Sequence, residues 1–179
     1  MPNWVYNSIT LRGDEDKLRA VWDTIVRHDE SAGEAVFSFK NLIPVPDEVD
    51  YEAEGKSWNL NNWGTKWDAG EVHYLLHPPT YPGENVRSLF FSTAWDQPEP
   101  VFTALAELCT QNGIDFTISY EEENGWGGEI EGVSGKITTT TYAEPTSHAD
   151  YLKRKDACYC ERTGERMFLD CPELEKESN

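Results

Sequence analysis

Polar and apolar positions change period once within the first 30 residues. Trp4, Tyr6, Ser8 and Thr10 alternate with Val5, Asn7, Ile9 and Leu11, a repeat of aromatic and β-branched side chains that predicts a strand with much of both faces covered. Gly13 and Asp14 end it. Leu18, Val21, Trp22, Ile25 and Val26 then recur at helical spacing, with Asp14 as N-cap and Asp16 in the first turn, where the helix dipole favours an acid. Over residues 31–67 no period holds. Pro44, Pro46, Gly55 and Gly64 interrupt every run, and five acids between Asp47 and Glu54 predict a solvated excursion. A connection of that length is unusual in a compact domain and is often functional.

Strand character returns over residues 68–76 and 86–95, joined by a turn-rich stretch and expected to pair as a hairpin. Asp96-Gln97-Pro98 opens a helix with the apolar stripe Val101, Phe102, Leu105, Leu108 and Cys109, closed by a left-handed Gly113. Ile114, Phe116, Ile118 and Tyr120 alternate with Asp115, Thr117 and Ser119 as a one-faced strand. Asn124-Gly125 allows a tight turn into a strand over 126–133, and the threonine-rich 136–142 adds an edge strand. The order β-α-β-β-α-β with an extra hairpin strand is the split βαβ arrangement. It predicts an α+β, ferredoxin-like domain with two helices on one face of an antiparallel sheet and the other face open. The domain is read as residues 1–142 with 31–67 as a long inserted loop, followed by a polar, cysteine-containing extension over 143–179.

Several strings resemble the successive motifs of the YubB-like ferredoxin-like domain family, which is spread among bacteriophages and conjugative plasmids. They are Met1-Pro2-Asn3-Trp4 with Asn7, Asn41-Leu42-Ile43-Pro44, Trp63-Gly64-Thr65-Lys66-Trp67-Asp68-Ala69, Thr93-Ala94-Trp95, and Tyr120-Glu121-Glu122 followed by Gly127-Gly128. The resemblance covers about residues 1–135, and the string with two Trp bracketing Gly-Thr-Lys is its most specific part. It implies the ferredoxin-like fold and a mobile-element origin, and it carries no activity and no catalytic residues. Val5 stands where members often have Cys, which argues against thiol chemistry there.

Composition narrows the function classes. Seven Trp, eight Tyr and seven Phe supply enough apolar surface for a packed core. The chain has no apolar run of membrane-spanning length and no signal-peptide pattern at its N-terminus, so the expectation is a protein of the host-cell cytoplasm with no membrane partner. Cysteines there are thiols or metal ligands rather than disulfides. A formal charge of −18 disfavours direct contact with nucleic acid and favours a host protein with a basic surface. The sign is concentrated: residues 88–135 contain no Lys or Arg, while Asp96, Glu99, Glu107, Asp115, Glu121, Glu122, Glu123, Glu129 and Glu131 fall there.

Three constellations carry candidate chemistry. Trp63, Lys66, Trp67, Asp68 and Trp95 suit an aromatic-walled pocket in which indoles stack on a planar ligand while Lys66 and Asp68 hold its polar edge; the same tryptophans suit anchors that pin the excursion to the sheet. Glu121, Glu122, Glu123, Glu129 and Glu131 suit an acidic interaction face that imitates phosphates, or a solvated face that keeps the protein soluble. Cys158, Cys160, Cys171 and His148 suit a structural Zn²⁺ site or free thiols, whereas Cys109 belongs to the core stripe. His73 and His77 share a strand and lie too far apart for one metal. No other cofactor is implied, and no Ser-His-Asp order, phosphate loop, nucleotide fingerprint or HExxH occurs. The leading expectation is a non-enzymatic accessory protein that binds a basic host macromolecule, as an anti-defence inhibitor or DNA mimic. The alternative is a nucleotide-like small-ligand binder using the tryptophans.

Overall fold

The computed structural model describes residues 3–29, 33–77 and 85–146. Elements run β1 (Trp4–Gly13), α1 (Glu15–Ile25), β2 (Val26–Asp29), β3 (Glu34–Phe37), a 3-10 turn (Phe39–Asn41), α2 (Tyr51–Asn62), β4 (Gly70–His77), β5 (Asn85–Ala94), α3 (Glu99–Asn112), β6 (Asp115–Glu122), β7 (Gly127–Val133) and β8 (Lys136–Tyr142). The main sheet is ordered β4-β5-β1-β6-β7-β8 with every pairing antiparallel, and β2-β3 form a separate ribbon. β1 with β4 is a split βαβ unit, as is β5 with β6. The α+β ferredoxin-like core is therefore present, extended at one edge by the β7–β8 hairpin.

Local chemistry explains the boundaries. The Asp14 carboxylate accepts the backbone N–H groups of Asp16 and Lys17, satisfying donors that α1 cannot satisfy itself. Gly113 ends α3 at φ 63°, the left-handed conformation glycine adopts without penalty. On β1, Val5, Asn7, Ile9 and Leu11 face the helices, meeting Leu18, Val21 and Ile25 of α1 and Val101, Phe102 and Leu105 of α3 in one core. Tyr6 points to the opposite, open face, as do Phe90 of β5 and the row Thr117, Ser119 and Glu121 of β6.

The inserted segment departs from its sequence reading. Instead of an irregular solvated loop, residues 34–62 contain β3, the 3-10 turn and α2. Phe37, Phe39 and Trp63 are among the largest fully buried side chains. Phe37 and Phe39 stack on Phe91 of β5 at 5.1 and 5.7 Å, and Phe39 meets Trp63 at 5.7 Å. The segment thus completes the helix-side layer over β5. The acids of 47–54 do stand outside it, Asp50 capping α2 through the N–H groups of Glu52 and Ala53.

Candidate binding surfaces

The string Trp63–Ala69 divides between scaffold and surface. Trp63 is fully buried, its indole N–H donating to the Ile43 carbonyl at 3.0 Å. It is core and not pocket wall, which corrects its assignment to a ligand site; a large apolar side chain under a long connection gains more from burial than from exposure. Gly64, at φ 80°, packs on Pro100 at the start of α3. The Thr65 hydroxyl donates to the Trp67 carbonyl at 2.8 Å. Asp68 is also spent on the scaffold: one carboxylate oxygen accepts the N–H groups of Phe39 (2.7 Å) and Ala69 (2.8 Å), the other the Ser38 hydroxyl (2.5 Å). Three hydrogen bonds make it first a clamp on Ser38, Phe39 and Ala69, which corrects its assignment as chiefly a ligand contact.

Lys66, Trp67 and Trp95 remain together at the surface. The two indoles sit 5.3 Å apart at 39°, and the Lys66 ammonium lies 5.0 Å from the Trp67 ring and 4.7 Å from the Trp95 ring. Each such cation–π contact is worth about 0.5–1 kcal/mol at an exposed site. Trp67 and Trp95 keep 42% and 44% of their surface exposed, against 0% for Trp63. Trp95 also holds φ 69°, a left-handed conformation that costs a non-glycine residue about 1–2 kcal/mol, with its N–H bound to the Asn3 carbonyl at 2.8 Å. Beside this pair lies an open cavity of about 340 Å³ lined by Tyr51, Glu52, Ala53, Gly55, Lys56, Asn59, Lys66 and Trp67, so one acid shares the wall with two lysines. Tyr51, Lys56 and Asn59 were not legible as site residues, because α2 has no apolar stripe to announce it.

The acidic block is split by the pleat. Glu122 lies on the helix side, 2% exposed, its carboxylate accepting the Asn124 backbone N–H (2.6 Å) and side-chain amide (3.2 Å). It closes the β6–β7 turn and is withdrawn from the interaction face, because even-numbered positions of β6 point inward. Glu123 is exposed in that turn. Glu121, Glu129 and Glu131 share the open face of the sheet, where Glu129 accepts the Ser119 hydroxyl at 3.2 Å and Glu121 the Tyr142 hydroxyl at 3.2 Å. Asp96, Glu99 and Glu107 belong to the helix layer instead.

That layer holds a feature the sequence reading lacked. α3 packs on β6, and the same face of β7–β8 runs past it, leaving a groove of about 470 Å³. Phe102, Ala106, Tyr120, Ile130 and Ile137 line it, with Gln97, Glu99 and Glu107 among its polar lining. Gly128 and Gly132 make the floor possible. A Cβ at Gly132 would meet the Phe116 ring at 2.2 Å, and one at Gly128 the Tyr120 hydroxyl at 2.6 Å, so aromatic rings lie over backbone where side chains would stand. The Gln97 side-chain oxygen has no hydrogen-bond partner among the described residues. Partial desolvation, helped by repulsion from Glu99, raises the carboxyl of the exposed Asp96 despite the Gln97 N–H. Burial, with Glu99 and Asp96 nearby, likewise raises the Tyr120 phenol. Among the described residues the ion pairs are Arg19–Glu15 (3.3 Å) and Arg87–Glu15 (2.7 Å), so no described Lys or Arg pairs with Glu99 or Glu107.

Cys109 is buried in α3 with its thiol pushed up to about 12, an inert core residue as expected. His73 and His77 both fall in β4, with Cα atoms about 13 Å apart at strand rise. No group of three or more His, Cys, Asp or Glu among the described residues could hold a metal ion. His148, Cys158, Cys160 and Cys171 lie outside the described residues. No described helix is long and apolar enough to cross a membrane.

No curated protein matches the chain, and neither does any solved structure. A family match does cover residues 62–161, more than half of the chain, from the last turn of α2 through β8 and beyond. It begins later and ends later than the stretch that carries the YubB-like strings, and the motifs around Trp4 and Asn41 fall outside it. It includes the β4, β5, α3, β6 and β7–β8 elements, hence the α3–β8 groove as well as Lys66, Trp67 and Trp95, but not the α2 wall of the cavity beside them, and its description carries a fold and no activity. On this match the chain belongs to the family described as the ferredoxin-like domain in Api92-like protein.

Proposed function

We propose that the protein is a non-enzymatic accessory protein of a phage or plasmid, of the YubB-like kind, which acts in the host cytoplasm by docking a host protein that presents a basic, partly apolar segment. The observation that carries this reading is the groove between α3 and β7–β8, whose apolar floor is accompanied by Glu99 and Glu107 and has no Lys or Arg among its lining residues. An apolar floor supplies affinity by removing surface from water, gross about 25 cal/mol per Å². Uncompensated carboxylates supply steering and exclude acidic competitors. An anti-defence role then takes the form of blocking a host factor's basic segment. Imitation of duplex DNA is the less favoured form, since only Glu121, Glu129 and Glu131 of the five named carboxylates share one sheet face, whereas duplex DNA carries a charge about every 1.7 Å.

The test is retention of host proteins on the immobilised chain and on two charge-reversed variants. A partner held at low salt is expected to be released near about 0.5 M salt, where screening is short-ranged. It is expected to be lost with Glu99→Lys/Glu107→Lys and kept with Glu129→Lys/Glu131→Lys. Retention indifferent to both salt and the first pair would overturn the reading.

A further inference from the structure

We infer that the Trp67–Trp95 surface with its adjoining cavity is a second, independent binding site, for a free mononucleotide or a similarly flat heteroaromatic ring bearing phosphate. It shares no residue with the groove and requires the opposite chemistry. Acids outnumber bases 33 to 15 in this chain, yet Lys56 and Lys66 both line this cavity against the single acid Glu52, and neither forms an ion pair with a described residue. Lys66 lies over both exposed indoles, Lys56 lines the cavity, and the Lys40 ammonium lies 5.3 Å from the Tyr51 ring, the next wall residue.

Each part has a role for such a ligand. Two indoles tilted by 39° and more than 40% exposed offer a stacking surface to any flat ring. Lysines without carboxylate partners leave their donors for phosphate oxygens, and Lys66 joins the two functions by standing at the aromatic pair. Asn59 is fixed by hydrogen bonds to Tyr51 and to the Lys66 carbonyl, which locks the wall and the lysine's backbone in register. The left-handed Trp95 fits this assignment. Strain retained at an exposed aromatic residue, where glycine would relieve it, belongs to sites kept for binding more than for folding.

Adenosine monophosphate, adenosine and inorganic phosphate, titrated separately while tryptophan emission is excited beyond nucleobase absorption, test the assignment. Adenosine monophosphate is expected to give saturable quenching, with adenosine or phosphate alone at least about tenfold weaker. Lys56→Gln is expected to weaken the nucleotide selectively, Trp67→Ala to weaken nucleotide and nucleoside together, and Lys136→Gln at the distant β7–β8 turn to change neither. Three results would overturn it: no saturable change up to about 1 mM nucleotide, equal response to adenosine and its phosphate, or quenching that survives in both folded variants. Tighter binding of a 5′-phosphorylated trinucleotide would overturn the mononucleotide assignment as well. Lys56→Gln alters an exposed side chain, so its result stands even where Trp67→Ala fails to fold.

Discussion

The two surfaces use aromatic and charged residues in opposite ways. Around Trp67 and Trp95 the rings stand outward and the charge above them is positive; in the α3–β8 groove the Tyr120 ring lies against β7, Phe102 of α3 lines the other side, and the charge is negative. The backbone beneath explains the difference. β7 offers glycines at the two positions facing Phe116 and Tyr120, so rings there collapse onto the sheet. Trp95 leaves β5 in a left-handed turn and Trp67 sits in a loop held by the Thr65 hydroxyl at the Trp67 carbonyl and by Asp68 at the Ala69 N–H, and both rings stay outside the core. Local backbone, more than residue type, decides whether an aromatic becomes core or contact.

The sharpest test of that contrast lies within one string. Trp63→Ala is expected to lose about 3–5 kcal/mol in denaturant unfolding, while Trp67→Ala, four residues on, loses about 1 kcal/mol or less. Comparable losses would break the division between scaffold and surface. Gly132→Val is expected to cost about 3 kcal/mol, because its Cβ falls 2.2 Å from the Phe116 ring; an unchanged midpoint would refute the glycine-floored groove. Glu122→Ala is expected to cost about 1–3 kcal/mol through the unmade turn hydrogen bonds, against about 0.5 kcal/mol or less for Glu131→Ala on the open face.

The smallest effect concerns Asp96, an exposed residue whose carboxyl is raised by partial desolvation and by Glu99. A raised folded value means that the neutral form is preferred in the native state. Stability from this group is therefore complete below about its ordinary value of 3.8 and is lost as pH rises through the folded value. Asp96→Asn is accordingly expected to raise the unfolding midpoint slightly at pH 7, with the gain vanishing in acid below 3.8. A gain equal at both pH values would show that the charge on Asp96 is not its source.

Much of this architecture was legible. Alternation located β1 and β6, the i, i+3, i+4 stripe located α1 and α3, and Asp14 and Gly113 marked ends where the structure places them. α2 was not legible, because its inward positions are Gly55 and Asn59, which read as a breaker and a polar residue although they permit close approach and a hydrogen bond. The signal available was Asp50 as an N-cap before Glu52 and Ala53. Phe37 and Phe39 read as loop residues for a related reason: their burial partner, Phe91, lies over 50 positions away.

The candidate sites show the same limit. Residue types pointed to the right strings, and the spacing argument kept His73 and His77 apart. It could not separate Trp63 from Trp67, or Glu122 from Glu121, since each pair shares a type and a neighbourhood in the chain.

By itself the sequence determined the strand and helix periods, the split βαβ order, the charge of −18 and its concentration over 88–135. These depend on local stereochemistry and composition, which need no knowledge of distant neighbours. Only the tertiary structure decided which tryptophans are core, that the acids divide among open face, turn and groove, and that two lysines line one cavity in an acidic chain. Those outcomes depend on register and on packing between segments far apart in sequence, where a one-residue step along a strand moves a side chain to the opposite face.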